Sequence, residues 1–171
     1  MEEYWDVYDR FRNRTGEIIQ RDGDRWLQQG EYHIVITGII QNSRKQILIT
    51  KRKEDKKVFP GLWECTGGSV KSGETSIEAT IREIKEEIGI ELKKEEAIFL
   101  GTIKKDNYFR DVWKFEKDIE ENEVSYNDGE VIDSKWVSID EYNNLYKLGK
   151  VVPSGDFVIK FLDEKELEEE R

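Results

Sequence analysis

The chain has 171 residues, and its 28 Lys and Arg against 38 Asp and Glu leave a net charge of −10. That balance excludes a protein built mainly to hold a nucleic-acid polymer, which needs a basic face. It leaves room for a small phosphorylated substrate, because a bound divalent cation reverses the local sign. Aromatic residues at 11% supply bulky core material for a folded, acidic domain. The one Cys, Cys65, has no intramolecular disulfide partner, and no Cys cluster exists to bind zinc. The acidic opening Glu2-Glu3-Tyr4-Trp5-Asp6 is unlike a secretory signal, and the apolar run Ile34 to Ile40 is too short to span a bilayer. These features predict a cytoplasmic protein with no membrane partner.

No Ser/Gly-rich linker and no fixed-period repeat divides the chain, so a single domain over 1–171 is expected. Trp5 to Tyr8 and Glu17 to Ile19, around a turn at Asn13 to Gly16, predict a hairpin within an N-terminal extension over 1–30. Tyr32 to Ile40 and Gln46 to Thr50 are β-branched runs joined by the polar stretch Gln41 to Lys45, and read as strands. Phe59-Pro60-Gly61 and Gly67-Gly68 read as loops. The period then changes: Ile77, Ile81, Ile84 and Ile88 recur at helical spacing, with Thr75 and Glu78 as a capping box and Gly89 as the stop. All four isoleucines are therefore expected in the core. Ala97 to Ile103, Tyr108 to Phe115 and Lys135 to Ser138 read as strands; Ile139 to Leu148 and a C-terminal segment over 154–171 read as helices. The order of elements implies an α/β or α+β architecture with a mixed sheet.

The helix ending at Ile88 has a second face. At about 100° per residue, Glu83, Glu86 and Glu87 share an arc of roughly 100°, away from the isoleucines. Like charges crowded there repel, so the arrangement suits a hard cation, Mg²⁺ first and Mn²⁺ second. A solvated acidic face is the plain alternative, since Glu is a good helix former and recurs at Glu91, Glu95 and Glu96. Gly67-Gly68 just ahead allows close approach of backbone or substrate, and Arg82 is placed to reach back to Glu74.

The full string decides between these readings. Gly68, Glu74, Arg82-Glu83-Ile84, Glu86-Glu87 and Gly89-Ile90, at these spacings over 68–90, resemble the Nudix box at every specified position. The resemblance implies a mixed sheet sandwiched between helices, with the box as a loop–helix–loop around divalent metal. It implies hydrolysis of a nucleoside diphosphate linked to another group. Glu83, Glu86 and Glu87 then correspond to the metal and base carboxylates, the Gly68 carbonyl to a further ligand, and Glu74 with Arg82 to a supporting pair. Which glutamate takes the proton varies in the family, and Glu130, outside the box, is an alternative base or an ordinary turn acid.

Two other activities compete. The N-terminal segment and Phe59-Pro60-Gly61-Leu62-Trp63 also resemble the isopentenyl-diphosphate isomerase branch of the superfamily, which uses a catalytic Cys and several His. Here a single His, His33, is expected as a strand residue with a local hydrogen bond, and Cys65 is near the right region but not in the expected segment. A non-catalytic nucleotide- or protein-binding module is the other alternative, although such a module would be free to lose its glutamates. For the substrate, Arg52 is a candidate phosphate contact, Trp63 a candidate base-stacking ring and Tyr108 a candidate dinucleoside-polyphosphate contact. Lys105 stands where a Pro often accompanies ADP-ribose hydrolysis. A homodimer, with the hairpin as a swapped element, is compatible with the family.

Overall fold

A computed structural model describes residues 2–127 and 129–169, with side chains through 162. Asp128, part of the turn around Glu130, and the acidic end Glu170-Arg171 lie outside the described residues. The N-terminal hairpin pairs β1 (Tyr4–Tyr8) with β2 (Arg14–Gln20). Its turn falls earlier than the sequence suggests, because Asp9 accepts from the amides of Phe11 and Asn13 and closes the chain there. Arg14 to Gly16 then belong to β2.

The main sheet is organised by β3 (His33–Gln41), which pairs in parallel with β8 (Tyr108–Glu116) along its whole length. On its other edge β3 meets β4 (Ile47–Arg52) only at Gln41 and Ile47, after the turn capped by Asn42. The two strands then part. β4 pairs with β5 (Trp63–Glu64) and with β9 (Val131–Val137), while β6 (Thr66–Ser69) fills the vacated edge of β3 from Val35 to Gly38. The segment through Cys65 thus crosses between two prongs of a forked, mixed sheet. β7 (Ala97–Lys104) lies antiparallel on the far side of β8. Gly67 and Gly68 are therefore in a strand, not a loop. Paired glycines are uncommon in strands because they leave nothing to pack, and the reason for them here is a close approach from a helix.

That helix is α1 (Ser76–Ile88), capped as the sequence predicts: Thr75 and Glu78 form the reciprocal box, and Gly89 closes the end at φ 72°. Ile77, Ile84 and Ile88 are buried against Ile40, Leu48 and Phe115. Ile81 is only partly buried, at the margin of this cluster. A Cβ at Gly38 would stand 2.8 Å from Thr80 and 2.9 Å from Ile84, so only glycine lets α1 sit this close to β3. The opposite face packs Ile39, Ile47, Ile49 and Val112 against α2 (Ile139–Lys147) and α3 (Gly155–Glu169). Alternate residues of β3 and β4 thus serve opposite layers, giving helices on both sides of a mixed sheet. Among the described residues no helix is long and apolar enough to cross a membrane.

One buried charge fastens the hairpin to the sheet. Asp111 accepts from Arg12 at 2.7 and 2.5 Å and from Thr102 at 2.7 Å. Burial pushes its carboxyl up, but the hydrogen bonds from Arg12, Ser76 and Thr102 more than offset this and hold it below the ordinary carboxylate value. A depressed pKa in the folded state contributes stability above the unfolded pKa, and that stability is lost as pH falls through the folded value. The thermal midpoint should therefore fall on acidification below about pH 4, and an Asp111→Asn variant should show a smaller acid-dependent drop in calorimetry. Ile84→Ala should cost roughly 2–5 kcal/mol in chemical denaturation, and Ile81→Ala clearly less, because only the former empties a fully enclosed site.

Candidate active site

The site is built on α1 and on the strand and loop before it. Arg82 is its centre. Its Nε and Nη2 donate to the two oxygens of Glu74 at 2.8 and 3.0 Å, and Nη2 also donates to the Ser69 carbonyl at 3.0 Å. Nη1 donates to Glu83 at 2.6 Å and to Glu86 at 3.1 Å. Burial disfavours the charge on Arg82, yet the hydrogen bonds to Glu74 and the charge of Glu83 more than offset it and raise its pKa. The supporting pair read from the sequence is thus formed, and the same guanidinium also ties two of the box glutamates.

Three carboxylates share this one cation. Glu83 shows the deficit: burial raises its pKa, Arg82 pulls it down, and the charges of Glu86 and Glu3 raise it again. Its side chain lies against Gly68, where a Cβ would collide with its carboxylate carbon and oxygen. Gly68 is thus the floor on which Glu83 rests, which explains a glycine inside β6. Glu86 is exposed at the rim, its side chain 47% accessible, whereas Glu87 is 5% accessible. Among the described residues no three acidic, His or Cys side chains are gathered as a ready metal cage; the Arg82 guanidinium bridges Glu83 and Glu86. The donor chemistry nonetheless fits a hard divalent cation. The donors are all oxygen, and two half-buried carboxylates, Glu74 and Glu83, with Glu86 at the rim share a single guanidinium.

The loop that carries Glu74 is held from two directions. Glu74 accepts from the Lys71 amide at 3.1 Å. From the other side, the hairpin reaches in: Asp6 accepts from the Ser72 hydroxyl at 2.8 Å and the Gly73 amide at 3.0 Å, and the Tyr4 carbonyl accepts from the Ser72 amide at 2.7 Å. Nothing local in the sequence singles out Asp6, because its partners are distant along the chain.

The remaining candidates fall elsewhere in the fork. Arg52 is not a free phosphate contact: it pairs with Glu64 at 2.6 Å and donates to the Val58 carbonyl at 2.8 Å. Trp63, in β5, packs partly on the core under α2 and α3 with Lys135 over its ring at 4.4 Å. Tyr108 meets His33 edge-on and lies beneath the Arg110 guanidinium. Glu130 pairs with Lys56 at 2.6 Å on the loop side of β4. The His33 ring stacks on Trp5 at 4.1 Å, and its Nδ1 has no hydrogen-bond partner, so stacking replaces the expected local bond. Burial, with Arg21 and Arg110 nearby, lowers its pKa to about 4. Cys65 is buried and its thiol is pushed up to about 12, chiefly by that burial.

Gly68→Ala should displace Glu83 while sparing the fold, seen as a changed environment at Glu83 in side-chain carboxyl NMR with a thermal midpoint lowered only slightly. Asp6→Ala should release the loop, expected as faster amide exchange at Ser72 and Gly73 with about 1 kcal/mol lost in stability.

Residues 31–156 match the NUDIX domain family. An uncharacterised Nudix hydrolase of Listeria monocytogenes is 36% identical over 157 residues, 88% of this chain and 89% of that protein. An isopentenyl-diphosphate Delta-isomerase of Escherichia coli is 31% identical over 120 residues, covering 63% of this chain and 62% of the isomerase. A crystal structure from Deinococcus radiodurans superposes with a TM-score of 0.70 at 24% identity, over 87% of this chain and 91% of that one. The hairpin that latches the box loop lies outside the matched family segment. On its box, its forked sheet and these relatives, the chain belongs to the Nudix hydrolase family, enzymes acting on phosphorus-containing acid anhydrides.

Proposed function

We propose that this protein is a Mg²⁺-dependent pyrophosphohydrolase that cleaves the diphosphate of a nucleoside diphosphate linked to another group. The observation that carries the reading is the cluster of Glu74, Glu83 and Glu86 on one guanidinium, set on Gly68 beside buried Glu87. Glu83, Glu86 and Glu87, with the Gly68 carbonyl, would hold the ion. Mn²⁺ would serve in its place. The bound ion would supply screening of the anionic phosphates and acidification of a coordinated water.

The chain's own residues do the rest. Hydrolysis forms a bond from water oxygen to phosphorus and breaks the bridging P–O bond, with the water proton passing to a carboxylate of the box. Arg82 orients Glu74, Glu83 and Glu86 by fixed hydrogen bonds, so little reorganisation is needed when the substrate arrives. Glu74 anchors Arg82, and Asp6 anchors the loop of Glu74. Glu130 is assigned no catalytic part, since its carboxylate pairs with Lys56. Trp63, Tyr108 and the Arg52–Glu64 pair belong to the fork that would receive the nucleoside portion.

The isomerase reading is weakened by the same geometry. Its chemistry needs a reactive thiol, and Cys65 is enclosed and hard to ionise. Its metal site needs several His, and the one His of this chain stacks on Trp5 and meets Tyr108 edge-on.

The test is phosphate release from nucleotide sugars, ADP-ribose, dinucleoside polyphosphates, coenzyme A, canonical and oxidised triphosphates, and isoprenoid diphosphates, with and without Mg²⁺. Metal-dependent turnover of one class is expected. Glu86→Gln and Glu87→Gln should each lower kcat by roughly 10²–10⁴-fold and weaken Mg²⁺ binding in calorimetry while leaving the thermal midpoint near wild type. Wild-type rates in either variant would remove the metal assignment. Nucleotide binding with no turnover across the panel would identify a binding module instead.

A further inference from the structure

Around His33 and Glu64, three guanidiniums meet two carboxylates. Arg52 takes Glu64 at 2.6 Å, and Arg21 takes Glu3 at 3.1 Å. Arg110 is the surplus cation. Glu64 feels its charge but is bonded to Arg52, and among the described residues Arg110 has no ion-pair partner within 4.0 Å.

The Arg110 side chain is also held in one orientation. Its Nη1 donates to the Thr37 hydroxyl at 2.9 Å and to the Ile36 carbonyl at 3.3 Å, and its plane rests over Tyr108 at 5.3 Å. Its Nε is buried with no hydrogen-bond partner. Nε lies on the edge of a guanidinium that pairs side-on with a carboxylate or phosphate, so the fork is fixed on one side and unsatisfied on the other. Buried polar atoms are nearly always satisfied, and the exceptions cluster where something is missing. The buried Tyr142, whose hydroxyl interacts with the Cys65 thiol, lines the same cleft as Arg110 with Thr37, Glu64, Gly67 and Ser154. The cleft measures about 20 Å³, room for one oxygen atom.

Its distance from the box follows from the sheet register. Val35 is paired with Arg110 on one side and with Ser69 on the other. Arg110 therefore shares the α2–α3 face of the sheet with Ser69, two strands or roughly 10 Å away, while the neighbouring Gly68 supports Glu83 on the α1 face. Among the described strands β6 pairs with β3 alone, so a ligand with its diphosphate at the box can pass its sugar round the other edge of β6 and present an oxygen to the cleft.

We propose that Arg110, held by Thr37, is a specificity-determining residue that receives a second oxyanion of the substrate, a phosphomonoester or a carboxylate carried apart from the scissile diphosphate. The inference deepens the pyrophosphohydrolase reading by naming a substrate class: diphosphates whose sugar portion bears a further negative charge. It also explains why a chain of net charge −10 keeps an uncompensated, half-buried arginine on this face.

Two matched pairs test it by calorimetric binding to the full chain with Ca²⁺, another hard oxygen-ligated ion, in place of Mg²⁺, and with ligand integrity checked after each titration so that turnover plays no part: NADP against NAD, and UDP-glucuronate against UDP-glucose. The wild type should prefer the charged member of at least one pair by roughly 10–100-fold, the range for charge-assisted hydrogen bonds. In Arg110→Gln that preference should fall to about twofold or less, the size expected once the charge assistance is gone. Arg110→Lys keeps the charge without the fork; it should retain only part of the preference, and it stands in if the Gln variant does not fold. A preference within the NADP pair identifies a phosphomonoester, and one within the UDP pair a carboxylate. No preference in either pair, absence of binding to all four included, or a preference that survives in Arg110→Gln, overturns the proposal. Because binding is the readout, silence in the hydrolysis panel would sink the enzymatic reading and leave this result standing.

Discussion

The Arg82 guanidinium organises the site. It spends its donors on Glu74, the Ser69 carbonyl, Glu83 and Glu86, joining the loop before α1, the end of β6 and the helix itself. A planar group with fixed donor directions can do this, where an ammonium would act as a point charge without setting angles. The arrangement is stable only because the surroundings are partly buried, so the hydrogen bonds are strong and unpaired alternatives are costly. It is also incomplete by design of charge: several carboxylates converge on one cation, and a divalent ion is the natural complement.

The rest of the fold serves to keep that cluster in place. The fork in the sheet brings β6 under α1, and glycine at 38 and 68 removes the side chains that would hold the helix and Glu83 away. The N-terminal hairpin, although outside the matched family segment, is fastened at two points. Arg12 binds Asp111 in the sheet, and Asp6 binds Ser72 and Gly73 in the box loop. Motion of the hairpin would therefore be felt at Glu74 and, through it, at Arg82. On the other face, the same fork leaves Arg110 with an unsatisfied edge beside a cleft of one-oxygen size. The box and the Arg110 cleft thus lie on opposite faces of the sheet, on either side of β6.

The helix carrying the box was legible in the sequence because its signals are local. The isoleucine stripe, the Thr75–Glu78 cap and the Gly89 stop depend on neighbours within a few residues, and the structure places the cap, the stop and Ile77, Ile84 and Ile88 as read. The hairpin and most strands were legible for the same reason, as was the reach of Arg82 to Glu74. Gly67-Gly68 was misread as a loop, because local propensity cannot register that β4 leaves the edge of β3 and that another strand must fill it. Ile81 shares the stripe but sits at its margin, which depends on where the facing strands end. Arg52 looked available until Glu64 was placed beside it.

By itself, the sequence determined the identity of the reactive groups: which carboxylates share a helical face, where that helix begins and stops, and that the string from Gly68 to Ile90 is a Nudix box. Helical spacing and capping are short-range physics, written within a turn or two of chain. Only the tertiary structure decided how those groups are charged and held. It placed Glu83 on Gly68, buried Glu87 while leaving Glu86 at the rim, latched the loop with Asp6, and left Arg110 without a counter-ion. Each of these depends on burial and on partners brought together from distant parts of the chain, and neither is encoded in spacing.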